Sequence, residues 1–397
     1  MRAKGGVVGG ALLVAGTSIG GGMLALPVLT SLGGFYPSLI IFLACWLFMA
    51  STGLLMLEVC LWMERETNLV SMAERTLGTM GKVVTWILYI FMFYTLTVAY
   101  VNGSGDVVVD LFGNTVPAWL GMVGFVAIFG SFVFVGAYAV DKLNVLLMVG
   151  LGVTYCIFVW LGIPHVNVEH FQHSNWPMSL LALPVAFTSF GYQGIIPTLV
   201  TYLHRDVKKL RAAILLGSFL PFVTYGIWEW LIHGIIPAFG PGGLAEALKN
   251  NDNAVRPLRI FIDNPWIIRV GEFFAFFALT TSFLGVTLGL RDFFADGLQV
   301  KKTRQGRLLL CLLIFVPPVI FSVVYPRLFI EAVGLAGGFG AALLLGLLPI
   351  IMVWSGRYRR GIGVKHLLPG GRALLVVLIA FVVVEVICQI AHLAGKL

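Results

Sequence analysis

The sequence predicts an all-α integral membrane protein. We expect eleven transmembrane helices, arranged as two inverted repeats of five helices, in which helices 1 and 6 are broken, plus one extra helix. Of the 397 residues, 59% are hydrophobic and only 11% are charged, and the mean hydropathy is +0.97, a composition typical of membrane proteins. Eleven apolar runs follow one another, and two of them carry glycine and proline interruptions at corresponding places in the two halves.

Each apolar run is long enough to cross a bilayer, which takes about 20 residues of helix. The first run follows two basic residues, as in a secretory signal peptide, but glycines interrupt it and ten further runs follow, so we count it as a span. The predicted spans are 5–29, 35–63, 83–112, 117–136, 143–162, 179–201, 212–236, 266–290, 308–325, 328–354 and 373–394. The predicted repeats are 1–162 and 163–354, and 355–397 holds a cytoplasmic loop and the eleventh span.

The basic residues predict the orientation of the chain, because cytoplasmic loops of membrane proteins carry an excess of Lys and Arg. With the N-terminus in the cytoplasm, the outer segments keep few of the 26 basic residues, namely Lys249, Arg256, Arg259, Arg269, Arg327 and Lys396. The C-terminus is then periplasmic. The net charge of +8 does not indicate nucleic-acid binding, because the basic residues lie in short loops between apolar runs.

Two loops are predicted to have structure of their own. Residues 64–82 mix charges with apolar residues and predict a short amphipathic helix on the cytoplasmic surface. The longest outer segment, 236–265, contains Pro241-Gly242-Gly243 before a predicted helix. It is either a lid over an external vestibule or a plain connecting loop.

The chain is organised around residues 16–22 (GTSIGGG), in the middle of the first span. Each glycine in a helix costs about 1 kcal/mol relative to alanine, and Pro27 removes a backbone donor. Irregular backbone at membrane depth is tolerated only where it is buried in protein or lines a cavity, and half-helix ends favour charged ligand groups. This stretch therefore predicts a binding site. The alternative is close helix packing, since Gly16 and Gly20 form a GxxxG pair.

Span 6 repeats this pattern. Residues 188–191 (TSFG) match residues 17–20 (TSIG), and a proline follows in each span, Pro27 in the first and Pro197 in the second. Five spans separate the starts of the two, so the spans face opposite ways. This arrangement predicts an inverted repeat with two broken helices.

Other function classes lack their signatures. Five cysteines lie singly in apolar runs, and seven histidines are scattered through loops and span ends, so spacing indicates no disulfide framework, metal site or catalytic cluster. No strand precedes the glycine stretch, as a nucleotide-binding loop would require, and no span carries the charged ring or filter loop of a channel. A transporter that needs no cofactor remains, with a transporter-like amino acid sensor as the hardest alternative to exclude.

The chain resembles the hydroxy/aromatic amino acid permeases, over nearly its whole length. The similar segments are 15–27 (AGTSIGGGMLALP), 55–59 (LMLEV), 94–100 (YTLTVAY), 187–194 (FTSFGYQG), 279–286 (LTTSFLGV) and 315–318 (FVPP). This family belongs to the amino acid–polyamine–organocation superfamily, whose fold is the leucine-transporter-like five-plus-five repeat. The resemblance implies import of aromatic amino acids, tyrosine foremost, across the bacterial inner membrane, driven by the proton gradient. Gln193 departs from the family, whose members often carry histidine there.

An amino acid substrate needs partners for its carboxylate, its ammonium group and its side chain. We expect the carboxylate on backbone N–H groups of residues 18–22 and the ammonium on carbonyls of residues 15–17 and 187–190, assisted by hydroxyls including Thr188. The aromatic side chain is expected to stack on Phe190 or Tyr192. Tyr94 and Thr97 share one face of span 3, and point either at the cavity or at a neighbouring helix. The candidate substrate-binding set is Thr17, Ser18, Gly20, Gly21, Gly22, Tyr94, Thr97, Ser189, Phe190, Tyr192 and Gln193.

Ion coupling has two sets of candidates. The resemblance implies a sodium site formed by the first break and hydroxyls of Thr280, Thr281 and Ser282, because sodium-coupled relatives of the superfamily have a cation site there. The alternative is that these hydroxyls hydrogen-bond the backbone of their own helix. Acidic residues within membrane spans are functional candidates by default. They are Glu58, Glu229, Glu272, Glu331 and Glu385, of which Glu58 is favoured and Glu229 is second, while Glu272 is expected to pair with Arg269. Proton coupling is the expectation, and sodium coupling the alternative.

Overall fold

The computed structural model describes residues 6–63, 67–113, 115–300, 303–362 and 366–395. Several charged residues used for the predictions above lie outside the described residues, namely Arg2, Lys4, Glu64, Arg65, Glu66, Lys301, Lys302, Lys365 and Lys396. The secondary structure of the described residues is helical, with turns and irregular segments between the helices.

Ten helices are long and apolar enough to cross a membrane, and one bent pair with an angle of 49° adds an eleventh span. In chain order, spans 1 to 11 are Val7–Ser18 with Gly21–Thr30, Phe35–Trp62, Thr79–Leu111, Ala118–Val135, Ala137–His165, Trp176–Tyr202, Val207–Ile235, Pro265–Gly297, Arg304–Val324, Phe329–Tyr358 and Gly371–Leu393. The predicted all-helical fold with eleven spans is confirmed. Spans 3 and 5 begin earlier than predicted, because Gly78 and Gly136 turn the chain with positive φ angles of 81° and 131° immediately before each helix.

Spans 1 and 6 lie at the centre of the bundle and are each divided into two half-helices. We name these 1a (Val7–Ser18), 1b (Leu26–Thr30), 6a (Leu183–Ser189) and 6b (Ile196–Tyr202). Half-helix 1a packs along span 7, and 6a packs on span 10. Outer faces of the peripheral spans carry exposed apolar side chains, such as Leu146 and Ile387, as a surface in contact with lipid does.

Span 10 contains a π-helical segment, Ala336–Leu347, between two α-helical parts. Glycines let this segment approach span 6 closely: a Cβ on Gly337 would overlap the Pro184 carbonyl group. The Thr188 hydroxyl group also donates to the Val333 carbonyl oxygen at 3.1 Å. Half-helix 6a is thus held against span 10 by backbone contact.

The two connecting segments have the helices that the sequence predicted. Leu69–Leu77 is capped by Asn68, whose Oδ1 accepts from the Ser71 N–H at 2.9 Å. Its apolar face packs on spans 3 and 10. In the outer segment, Leu244–Lys249 and Leu258–Phe261 are helical, and the Ala254 N–H donates to the Leu24 carbonyl oxygen at 2.9 Å. The outer segment is therefore hydrogen-bonded to the end of the first break.

Candidate functional site

The first break interrupts span 1 where the glycines cluster. Half-helix 1a ends at Ser18, the chain is extended at Gly20, with φ −174° and ψ −150°, and a single 3-10 turn covers Gly21–Leu24. Half-helix 1b then begins with Pro27 in its first turn, a position where a missing backbone N–H costs nothing.

The second break has the same construction. Half-helix 6a ends at Ser189, which corresponds to Ser18 in the repeat, and a 3-10 turn at Gln193–Ile195 leads into 6b. Half-helix 6b carries Pro197 in its first turn. The four-residue match between the two spans therefore reflects equivalent positions at the ends of 1a and 6a.

One hydroxyl group joins the two breaks. Tyr225 Oη of span 7 lies 2.7 Å from the Ser18 carbonyl oxygen and 2.9 Å from the Ser189 carbonyl oxygen, and its side chain is fully buried. Each carbonyl belongs to the C-terminal end of a half-helix, where unpaired acceptors and the negative end of the helix dipole meet. Tyr225 therefore supplies one O–H donor that the two helix ends share.

The glycines of the first break are required by close approach. Ser282 Oγ of span 8 accepts from the Gly21 N–H at 2.8 Å, and a Cβ on Gly20 would overlap the same oxygen. A Cβ on Gly21 would lie 2.8 Å from the Tyr100 ring, nearer than real Cβ contacts allow. Spans 3 and 8 thus pack directly on the backbone of the break.

A cavity of about 1080 Å³ borders both breaks. From mid-bundle it reaches exposed residues at the end of the molecule that carries the Leu69–Leu77 helix, among them Asn68 and Asp296. Its lining includes many aromatic side chains, namely Trp86, Tyr89, Phe93, Tyr100, Tyr192 and Phe293. Tyr89 stacks on Phe93 with ring centroids 4.1 Å apart and on Phe293 with centroids 4.0 Å apart. The cavity is large enough for an amino acid and offers aromatic faces along one wall.

The opposite end of the cavity is closed. Trp228 Nε1 donates to the Met23 carbonyl oxygen at 2.9 Å. Beyond it, Arg259 of the outer segment forms ion pairs with Asp110 of span 3 and with Glu272 of span 8. The predicted pairing of Glu272 with Arg269 is confirmed, with 2.9 Å between Nη1 and Oε2.

The structure brings most of the predicted site residues to this cavity. The lining contains Thr17, Ser18, Gly20, Gly21, Gly22, Ser189, Tyr192, Thr281 and Ser282. The remaining predicted site residues lie outside this lining and are packed against other parts of the described structure, namely Tyr94, Thr97, Phe190, Gln193 and Thr280.

Span 3 presents a different face from the predicted one. Tyr94 Oη donates to the Leu313 carbonyl oxygen of span 9 at 2.7 Å, and Thr97 Oγ1 donates to Phe93 in its own helix at 2.7 Å. The alternative of ordinary helix hydrogen bonding therefore describes both residues. The cavity face of span 3 is formed instead by Tyr89, Met92, Phe93, Leu96 and Tyr100.

Phe190 and Gln193 serve the packing of span 6. Phe190 lies edge-on against Phe42 and Tyr225, with centroid distances of 6.0 and 5.1 Å. Gln193 Oε1 accepts from the Tyr192 N–H at 2.9 Å, and its Nε2 donates to Thr52 Oγ1 of span 2 at 2.8 Å. The stacking role predicted for Phe190 and the substrate contact predicted for Gln193 do not fit these positions.

The three hydroxyls considered for sodium have other partners. Thr280 and Thr281 donate to carbonyl oxygens of their own helix at 2.6 and 2.9 Å, as the alternative interpretation expects, while Ser282 holds the first break. The described residues include no group of three or more His, Cys, Asp or Glu side chains that could hold a metal.

Glu58, the favoured proton-coupling candidate, forms a buried ion pair outside the described cavity lining. Its two carboxylate oxygens accept from Arg357 Nε at 2.7 Å and Arg357 Nη2 at 2.6 Å, and Oε2 also accepts from the Leu367 N–H at 2.8 Å. Both side chains are 1% exposed. These bonds indicate a structural role for Glu58, which ties span 2 to span 10.

We therefore expect Glu58→Gln to lower stability and to leave the pH dependence of transport unchanged. Removing one partner of a buried pair leaves the other charge uncompensated, which costs about 3–5 kcal/mol. Thermal unfolding of the purified protein measures the loss, and the double variant Glu58→Gln/Arg357→Gln should recover part of it. A pH profile flattened by Glu58→Gln at normal thermal stability would contradict the structural role.

Two broken spans that meet beside a central cavity, within eleven helical spans, define a membrane transporter of the leucine-transporter fold. Solved transporters share this architecture. The crystal structure of MhsT in complex with L-phenylalanine matches with a TM-score of 0.69 at 16% identity, covering 98% of each chain. The fold class predicted from the two breaks is confirmed.

The tryptophan/tyrosine permease family model matches residues 3–389, and the chain belongs to this family. The tyrosine-specific transport system 1 of Haemophilus influenzae is 33% identical, with 98% of each chain covered. The tryptophan-specific transport protein of the same organism is 29% identical, covering 98% of this chain and 96% of the relative. The chain is thus a multi-pass membrane protein of an aromatic amino acid permease family and is not an enzyme.

Proposed function

We propose that this protein is a proton symporter that imports aromatic amino acids, tyrosine foremost, across the bacterial inner membrane. The observation that carries the proposal is the cavity that borders both breaks and has aromatic side chains along its wall. Broken helices offer backbone groups for the charged ends of an amino acid, and the aromatic wall offers a surface for its side chain. The driving force comes from the proton gradient, and no cofactor takes part.

The substrate pose follows from the polar groups at the breaks. The carboxylate binds near the N–H groups at the start of the 3-10 turn, beside the Gly21 N–H that donates to Ser282 Oγ at 2.8 Å. The ammonium group lies toward Ser189, which lines the cavity and whose buried Oγ has no hydrogen-bond partner among the described residues. A bound ammonium would satisfy that oxygen.

The orientation comes from the basic residues of the loops. The cavity reaches exposed residues of the end that carries Asn68 and Lys82, which the charge bias assigns to the cytoplasm. The conformation is then open to the cytoplasm, with the N-terminus inside, and the docked outer segment closes the external side.

Phe93→Leu is expected to weaken tyrosine binding by about 2- to 12-fold, because an aromatic contact contributes about 0.5–1.5 kcal/mol beyond area burial. Scintillation proximity binding of labelled tyrosine measures the change. Phe129→Leu on span 4, whose ring packs on Phe125 outside the described cavity lining, is the matched control. Equal affinities for both variants would move the side-chain site away from this wall.

Counterflow in proteoliposomes tests the function as a whole. Vesicles loaded with unlabelled tyrosine should take up labelled tyrosine in sodium-free buffer, with phenylalanine and tryptophan as competitors. An imposed pH gradient, acidic outside, should then drive accumulation. Binding without counterflow would indicate a sensor, and a strict requirement for sodium would overturn the proton coupling.

A further inference from the structure

A buried acid–imidazole pair joins span 7 to the outer half of span 1. Glu229 Oε1 lies 3.1 Å from His233 Nε2, one turn further along the helix, and accepts a hydrogen bond from Thr30 Oγ1 of half-helix 1b. His233 Nε2 also lies 3.2 Å from the Pro27 carbonyl oxygen. All three side chains are at most 3% exposed. We call Thr30, Glu229 and His233 the outer latch.

The contacts of the outer latch define its proton requirement. A carbonyl oxygen only accepts hydrogen bonds, so the His233 Nε2 that faces Pro27 carries a hydrogen. Glu229 Oε2 has no hydrogen-bond partner among the described residues. An ionised Glu229 beside a neutral His233 therefore buries a net negative charge with incomplete hydrogen bonding, a strongly unfavourable state. One added proton makes the pair neutral as a whole.

We propose that the outer latch is the proton-binding site of the transporter, and that its proton decides whether half-helix 1b stays docked on span 7. The proposal rests on the proton symport inferred above. With the proton bound, the neutral pair is compatible with burial, so the outer side can close and reopen with substrate bound. After the proton leaves, the buried negative charge disfavours closure and holds the arrangement in which outer water reaches the pair, until a proton from outside neutralises it again.

The latch lies next to the two breaks. Tyr225, one helical turn before Glu229, bridges the carbonyl oxygens of Ser18 and Ser189 at the cavity. A proton that leaves the pair toward the cytoplasm therefore meets a hydroxyl group beside the substrate site. This proximity links the occupancy of the latch to the geometry of the breaks.

Other titratable groups around span 7 make different contacts. Half-helices 1a and 1b contribute none. Tyr155 Oη donates to the Thr224 carbonyl oxygen at 2.8 Å, and His170 Nδ1 lies 2.9 Å from the Gly234 carbonyl oxygen. The remaining titratable residues on the packed elements are Tyr36, Cys45, Glu58, Cys60, Tyr138, Asp141, Lys142, Cys156, His165 and Glu169.

The test uses the full-length protein in proteoliposomes that contain a pH-sensitive dye. Glu229→Gln mimics the neutral latch, so it should retain counterflow of labelled tyrosine while tyrosine-coupled proton entry falls by roughly tenfold or more. Glu385→Gln is the matched control, because Glu385 is a fully buried carboxyl group on span 11 without a partner among the described residues. It should retain both activities.

The outcomes separate the latch from the function. Undiminished proton entry in Glu229→Gln, or loss of it in Glu385→Gln alone, would overturn the latch. Absence of counterflow in the unmodified protein would reject the proposed function instead. If Glu229→Gln does not fold, His233→Gln replaces it: a shifted pH profile of uptake supports the latch, and an unchanged profile overturns it.

Discussion

Gly20→Leu is expected to reduce tyrosine uptake to the level of cells without the protein, while the variant remains in the membrane. A Cβ on Gly20 would overlap Ser282 Oγ, and the Ala278 carbonyl oxygen lies 3.8 Å from the Cβ position. Leucine must therefore push span 8 away from the break. Overpacking of this kind costs about 1–3 kcal/mol, and it displaces the N–H groups proposed to hold the carboxylate. Uptake of labelled tyrosine, normalised to membrane protein by immunoblot, measures the effect.

A pair of alanine variants distinguishes the binding site from close helix packing. Both glycines of a GxxxG packing face should matter equally. In the structure, however, a Cβ on Gly16 would meet only the Met148 side chain, at an ordinary 3.5 Å. We expect Gly16→Ala to change uptake less than about twofold and Gly20→Ala to impair it strongly, because a Cβ on Gly20 displaces Ser282 Oγ from the Gly21 N–H that it accepts from. Equal losses in the two variants would favour the packing interpretation.

The two breaks were predictable because their cause is local. Glycine and proline destabilise a helix wherever it lies, and a membrane-buried interruption needs a compensating environment. The extra turn of span 3 before residue 83 has the same kind of origin, since Gly78 adopts a positive φ angle that lets the next helix begin at Thr79. Such features depend on a few neighbouring residues. The glycines and prolines of the breaks indicate them, whereas a prediction that follows the apolar run alone overlooks the turn at Gly78.

The faces and partners of the spans depend on distant residues, and the sequence does not show them. Span 3 carries aromatic or polar residues on every side, so no pattern separates Tyr94 from Tyr89 as the residue that meets the cavity. The sequence does not show that Glu58 is paired, because its partner Arg357 lies 299 positions further along the chain. Tyr225 had one usable signal: with Glu229 and His233 it forms a polar stripe at every fourth residue in the second half of a largely apolar span.

Tyr225→Phe is expected to lower tyrosine counterflow by tenfold or more, while the protein still folds. The phenyl ring keeps the edge-on contact with Phe190, whose centroid lies 5.1 Å away. What is lost is the hydroxyl group that, among the described residues, hydrogen-bonds both the Ser18 and the Ser189 carbonyl oxygens. Each buried acceptor left without a donor costs about 1–3 kcal/mol. The ends of the two half-helices each carry about half a negative charge, so they repel each other and separate. The substrate can then no longer contact both breaks at once.

Tyr155→Phe is the matched control for this prediction. Tyr155 Oη donates to one backbone carbonyl oxygen of span 7, that of Thr224, at 2.8 Å. Among the described residues, its hydroxyl group has no hydrogen bond to either break. Both variants lose a hydroxyl group of the same chemistry, so both should lower the thermal unfolding temperature. Only Tyr225→Phe should abolish counterflow, because only its hydroxyl group couples the two broken helices. A parallel loss of counterflow in both would mean that span 7 acts through its overall stability, and normal counterflow in Tyr225→Phe would show that the breaks keep their register without the shared donor.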